Sequence, residues 1–247
     1  MMKFLLLALI SFIFISQPLM AYNGGYSPGY EPYSAGDGVK PYPLITFTAK
    51  SDGHNEYDLF QSKGQFEIKL DRSKENPLLK ISRSGKELAS FDLPATIYSP
   101  YLNEAYRCDL NGDGISDYIC IFGGTGCGLA SEYCYVIFVF SRSGDYSIQT
   151  LYTMGFGPED LVDLSGNGKC TIIHTWFVYG EKGTDGESHN YWVYNFFDVS
   201  QTDLILSERS WKWIMYTDKP NHTDTVQLTD NQKSRCWLRS SMRLFIQ

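Results

Sequence analysis

Basic residues and histidine are scarce in this chain, and the patterns that mark common enzyme classes are missing. Lysine and arginine number 21 against 28 aspartate and glutamate, for a formal charge of −7. That acidity disfavours nucleic acid and anionic membrane as partners. The four histidines, His54, His174, His189 and His222, are scattered, with no H-E-x-x-H. Neither a C-x-x-C pair nor a histidine cluster is present to build a structural zinc site. The glycine-rich Gly123–Gly128 stretch lacks the Lys-Ser/Thr of a P-loop and reads as a wide β connection. Gly25-Tyr26-Ser27-Pro28-Gly29 spells G-x-S-x-G, but no strand pattern precedes it and no helix pattern follows, so it is no nucleophile elbow. These absences leave no residue to assign as catalytic. Helical periodicity is almost absent; Thr229-Asp230-Asn231-Gln232 alone has the form of a capping box, opening one short C-terminal helix to about Ser241.

At the other end the chain reads Met1-Met2-Lys3, then an apolar run from Phe4 to Ile15, then Pro18-Leu19-Met20-Ala21. A short basic start, about a dozen apolar residues and a small terminal residue form a secretory signal peptide over residues 1–21. Cleavage after Ala21 follows, with a secreted or periplasmic location. The run is too short for a typical membrane span, and no later apolar stretch is long enough, so no transmembrane segment is expected. Residues 22–43 are rich in tyrosine, glycine, proline and serine and read as a flexible leader.

From Leu44 to the end, residues 44–247, short β-prone runs alternate with turn residues. The clearest are Leu44–Ala49, Gln65–Leu70, Leu78–Ser82, Tyr118–Phe122, Tyr133–Phe140, Tyr146–Tyr152, Thr171–Tyr179 and Tyr191–Val199. Their wealth of tyrosine, phenylalanine, isoleucine and valine predicts an all-β domain. Ser84-Gly85 and Ser143-Gly144-Asp145 read as hairpin turns.

The chemically sharpest stretch is Asp109-Leu110-Asn111-Gly112-Asp113-Gly114-Ile115-Ser116-Asp117. Oxygen-bearing side chains recur at every second position with glycines between them. Calcium takes six to eight oxygen ligands in irregular geometry, and a short loop supplies them from alternating positions. Counting Asp109 as the first position, the expected ligands are Asp109, Asn111, Asp113, the backbone carbonyl of Ile115, and Asp117. Gly114 holds the sixth position, where an EF-hand loop turns sharply, but the twelfth is Cys120 rather than a bidentate glutamate. A β-prone run follows, so the loop starts a strand. A plain Asn-Gly/Asp-Gly turn is the simpler alternative. Three carboxylates in nine residues would repel one another without a cation, which favours Ca2+.

Asp-x-Asn-Gly-Asp-Gly-x-x-Asp followed by an apolar strand resembles the FG-GAP/VCBS-type repeats of integrin-like β-propellers. The resemblance covers about residues 105–180. It implies antiparallel blades in a partial or small propeller-like array, with calcium held between strands of a blade by Asp109, Asn111, Asp113 and Asp117. A weaker copy, Asp163-Leu164-Ser165-Gly166-Asn167-Gly168-Lys169-Cys170-Thr171, begins 54 residues later. It keeps the glycines and one carboxylate, too few for calcium, and reads as a structural turn.

Six cysteines in an exported chain point to disulfides. They are Cys108, Cys120, Cys127, Cys134, Cys170 and Cys236; Cys127 and Cys134, which bracket a short glycine-rich connection, form the best single pair. Asn221-His222-Thr223 is an N-glycosylation sequon. The five tryptophans belong mostly to the core, and a surface subset could stack on sugar rings. The function expected is therefore an exported calcium-binding β scaffold acting as a binding or surface-interaction module for a protein or carbohydrate ligand. The alternative is a secreted hydrolase with structural calcium and a carboxylate pair as its catalyst.

Overall fold

The structure is a computed structural model that describes residues 40–50, 57–73, 75–93, 101–123, 133–164, 166–182, 186–207, 212–215 and 225–226. The expected signal peptide, the expected leader up to residue 39 and the expected helix after Thr229 lie outside the described residues, as do Cys127 and Cys236.

Numbered along the described chain, the strands begin with Lys40–Pro41 (β1), Ile45–Thr46 (β2), Thr48–Lys50 (β3), Tyr57–Ser62 (β4), Phe66–Asp71 (β5), Leu78–Arg83 (β6) and Lys86–Asp92 (β7). Next come Leu102–Cys108 (β8), Asp117–Phe122 (β9), Tyr133–Arg142 (β10), Asp145–Met154 (β11) and Leu161–Asp163 (β12). The series ends with Thr171–Lys182 (β13), Ser188–Ser200 (β14), Asp203–Leu206 (β15), Lys212–Met215 (β16) and Thr225–Val226 (β17). All pairing is antiparallel, in three open sheets, so the fold is all-β as expected. The first sheet runs β3-β4-β5-β6-β7 and the second β2-β8-β9-β10-β11. The third runs β1-β12-β13-β14-β16-β17, with β15 also on β14.

Local chemistry accounts for these elements. In β5, Phe66, Ile68 and Leu70 point inward while Glu67, Lys69 and Asp71 stay half-exposed, the period-2 pattern of a sheet with one wet face. After Asp117, β9 is a continuous apolar run, and the whole strand is buried on both faces. Ser84 and Gly85 join β6 to β7 with φ values of 53° and 77°, and Ser143 and Gly144 join β10 to β11 with 46° and 96°. Two consecutive positive φ angles give the type I′ twist that two-residue hairpins need, so both expected turns are present.

Two expected boundaries shift. The run expected as one strand over Leu44–Ala49 breaks at Phe47. Its ring is buried and its amide donates to the Ala105 carbonyl, so β2 joins the second sheet and β3 the first. The β domain also begins before Leu44. Lys40 and Pro41 pair with Asp163 and Val162, and the Tyr42 amide donates to Leu161, so residues 40–42 of the expected leader are bound to the third sheet.

The second sheet is the middle layer. One of its faces sends Tyr118, Cys120, Phe122, Ile137 and Val139 into a core with Ile68, Leu70, Leu79 and Ile81 of the first sheet. The opposite face packs Ile119, Ile121, Val136 and Phe138 against Leu161, Ile172 and Phe197 of the third. Each fully buried side chain of this size contributes about 1.5–3 kcal/mol. The doubly buried strand β9 is therefore a rigid base for the loop that precedes it.

Candidate functional site

The loop from Asp109 to Ser116 connects β8 to β9, and its ends are held together because Cys108 and Asp117 are cross-strand partners. Gly112 and Gly114 carry φ values of 77° and 80°, so the chain turns through the left-handed region twice. Those turns aim backbone amides inward. The Asp109 carboxylate accepts from Gly112 at 2.8 Å and Asp113 at 3.0 Å through Oδ1, and from Gly114 at 2.9 Å through Oδ2. Asn111 Oδ1 accepts from the Asp113 amide at 3.1 Å, and Asp113 Oδ1 from that of Ile115 at 2.7 Å. The Tyr42 hydroxyl closes the start of the loop by donating to the Asp109 carbonyl.

Asp117 is the deepest member, with 0% of its surface exposed. Its Oδ2 accepts from the amides of Leu110 at 2.7 Å and Asn111 at 3.2 Å, and its Oδ1 from that of Ser141 at 2.7 Å. Burial pushes its pKa up to about 6, against the pull of those donors. It therefore staples both ends of the loop to β10.

Ser141, on β10, is the residue sequence reasoning missed. Its hydroxyl donates to Asp113 Oδ2 at 2.7 Å, and Asn111 Nδ2 donates to its carbonyl at 3.2 Å and to its Oγ at 3.3 Å. Asn111, Asp113 and Asp117 thus meet on one buried serine from a strand that is distant in sequence. Ser141→Ala should lower stability by about 1 kcal/mol in urea denaturation, while Ser141→Thr, which keeps the hydroxyl, should recover most of it.

Asp109, Asn111, Asp113 and Asp117 are brought into one loop, and the Ile115 backbone lies at its exposed rim. The two ion pairs of the described residues, Arg72–Asp58 and Lys80–Glu87, lie elsewhere, so the three loop carboxylates have no cationic partner there. Oxygen donors of charge −3 suit a hard cation in kind and number. What the described geometry lacks is convergence: the carboxylates face backbone amides, and among the described residues no three aspartate, glutamate, histidine or cysteine side chains gather around one point.

The second copy folds as a replica. It connects β12 to β13, with Gly166 and Gly168 at φ 67° and 80°. Asp163 accepts from the amides of Asn167 at 3.1 Å and Gly168 at 2.7 Å, and Asn167 Oδ1 from that of Lys169 at 3.0 Å. These are the bonds that Asp109 and Asp113 make at the same offsets. At the ninth position Thr171 replaces the aspartate and donates to Asp198 at 3.0 Å.

The other sequence candidates resolve differently. Cys108, Cys120 and Cys170 are buried free thiols, and burial raises the pKa of each. Cys108, Cys134 and Cys170 share the core between the second and third sheets, while Cys120 faces the other core. The expected Cys127–Cys134 pair rests on a residue outside those described. His174 is buried: Nε2 donates to the Tyr152 carbonyl at 3.1 Å and Nδ1 accepts from Asn195 Nδ2 at 2.7 Å, an assignment that makes it a structural group rather than an open base. Trp176 is half-buried against Tyr133 and Tyr152.

Compared with family models, curated proteins and solved structures, the chain matches none of them.

Proposed function

We propose that this chain is an exported calcium-binding β scaffold, built from FG-GAP/VCBS-like blades, that acts as a binding or surface-interaction module. The observation that carries this reading is the 109–117 loop: three carboxylates, two left-handed glycines and no cationic side chain among its described partners. Calcium would be held by Asp109, Asn111, Asp113, Asp117 and the Ile115 carbonyl, and would supply the charge that the loop lacks. The blade reading is supported by the replica loop, since both copies occupy the turn entering a strand, β9 or β13, whose next partner is a long antiparallel neighbour. Calorimetric melting with calcium, magnesium and EDTA is the direct test; identical curves in all three would remove the metal from the reading.

Export is part of the proposal and has its own check. N-terminal sequencing of secreted material should begin near Tyr22, and mass spectrometry of the unreduced protein should show the disulfide expected between Cys127 and Cys134. A retained Met1 on protein with six free thiols would refute both.

A further inference from the structure

The Tyr42 side chain reaches the candidate loop from outside it, and its neighbours fix its position. Tyr42 stands between Pro41 and Pro43. Pro43 restricts the residue before it to extended backbone, and Pro41 has its own φ locked. On one side, Lys40 and Pro41 pair with Asp163 and Val162, and the Tyr42 amide donates to the Leu161 carbonyl at 3.0 Å. On the other, Ile45 and Thr46 pair with Arg107 and Tyr106. The half-buried Tyr42 and Leu44 side chains pack against the core shared by the second and third sheets. Residues 40–46 thus tie the stem of the replica loop to the stem of the acidic loop.

The tyrosine hydroxyl fills a place that the backbone leaves open. Continuing the register of β2 with β8 brings Pro43 opposite Asp109, and proline has no amide hydrogen to donate. The Asp109 carbonyl takes its hydrogen bond from the Tyr42 hydroxyl instead. The other end of the same peptide group, the Leu110 amide, donates to Asp117 Oδ2 at 2.7 Å. The peptide group between Asp109 and Leu110 is therefore held from both ends, by Tyr42 and by Asp117. Its orientation sets how the Asp109 side chain leaves the backbone, and the Asp109 carboxylate in turn receives the amides of Gly112, Asp113 and Gly114. In the replica loop the corresponding aspartate, Asp163, lies on β12 and pairs with Lys40 within the ladder, so its backbone is fixed without help from a side chain.

We propose that Tyr42 is a positioning residue for the 109–117 loop: its hydroxyl fixes the Asp109–Leu110 peptide group, so that the first ligand is in place before calcium binds. The proposal rests on the calcium reading of that loop. Binding is tighter when the ligand groups are already ordered, because less freedom is lost on association. Groups that orient a metal's ligands tune its affinity without touching the metal. Losing one net hydrogen bond corresponds to about fivefold in an equilibrium constant.

Tyr42→Phe deletes the hydroxyl and keeps a ring to pack against the core. The test is amide hydrogen exchange of the whole protein in EDTA, parent against variant, followed by calorimetric titration of both with calcium. Without metal, the amides of Gly112, Asp113 and Gly114 should exchange about fivefold faster in the variant. Those of Gly168 in the replica loop and of Ile119 and Ile121 in β9 should stay as in the parent. The calcium Kd should weaken by a similar factor. Exchange that rises equally at Gly168 or in β9 would make the hydroxyl a general stabiliser, and unchanged exchange at Gly112, Asp113 and Gly114 would leave it no part in the loop; either result overturns the proposal. So does calcium bound equally tightly by both proteins. A parent that binds no calcium would end the calcium reading instead, with the metal-free exchange still deciding whether Tyr42 holds the loop.

Discussion

Calcium at a hundredfold excess over its Kd should stabilise the protein by about 2.7 kcal/mol, and Asp113→Ala should remove most of that gain. In a chain of this size the gain corresponds to a rise in melting temperature of about 5–10 °C. The measurement belongs at about pH 7.5. Burial raises the Asp117 pKa from 3.8 to about 6, and an acid whose pKa is raised on folding loses stability as pH climbs through that window. Above it Asp117 is ionised and adds its charge to the loop, and a divalent cation offsets the repulsion. Below it a proton on Asp117 does part of the same work, so the calcium effect should shrink by pH 5. Asp113 is the proposed ligand to remove because it lies mid-loop and is exposed, and its replacement forfeits one amide contact and the bond from Ser141 rather than any core packing. Magnesium should stabilise less, since it demands a tight octahedron that a nine-residue loop of alternating donors does not supply. Asp163→Ala should leave the calcium response nearly intact: that loop makes the same amide contacts but holds a single carboxylate. A response lost equally in both variants would place the metal elsewhere.

What the sequence revealed was whatever one element encodes alone. β5, β9, β10 and β13 are long, rich in β-branched and aromatic residues, and bounded by turns, so they were legible. Ser84-Gly85 and Ser143-Gly144 were legible because only a few residue types tolerate two positive φ angles in succession. β8 was not. Its buried residues Leu102, Ala105, Tyr106 and Cys108 break the alternation, because the ladder shifts register between Leu102 and Glu104. β7 was hidden for a related reason, with a shift between Ile81 and Ser82 on its partner. The candidate site divides in the same way. The aspartates, asparagine and glycines announce the loop locally. Ser141 and Tyr42 enter it only through the pairing of β10 with β9 and of β1 with β12, and neither has a local mark.

Acidification should destabilise the protein through His174 alone by about 3 kcal/mol between pH 6.5 and pH 4. His174 is 1% exposed, and burial lowers its pKa from 6.5 to about 4 against the smaller opposing pull of the Tyr152 carbonyl. The sign follows from proton binding. Between those two values the unfolded chain takes up a proton that the folded ring refuses, so unfolding is favoured as pH falls. The contribution is fully present above about 6.5 and is lost progressively down to about 4. The hydrogen bonds explain the refusal: the neutral ring donates from Nε2 to Tyr152 and accepts at Nδ1 from Asn195, so a second proton would set donor against donor. Relief would require the Asn195 amide to turn over and bring its unpartnered Oδ1 to face Nδ1. Asp117 works in the opposite direction over part of the same range, so the parent curve alone does not isolate the histidine. His174→Gln does, because glutamine fills much of the same volume and does not titrate. Urea denaturation of the two proteins should show the parent losing its advantage as pH drops from about 7 to about 4.5. If the two curves instead run parallel across that range, His174 is protonated in the folded protein at an ordinary pH and its burial has been misread.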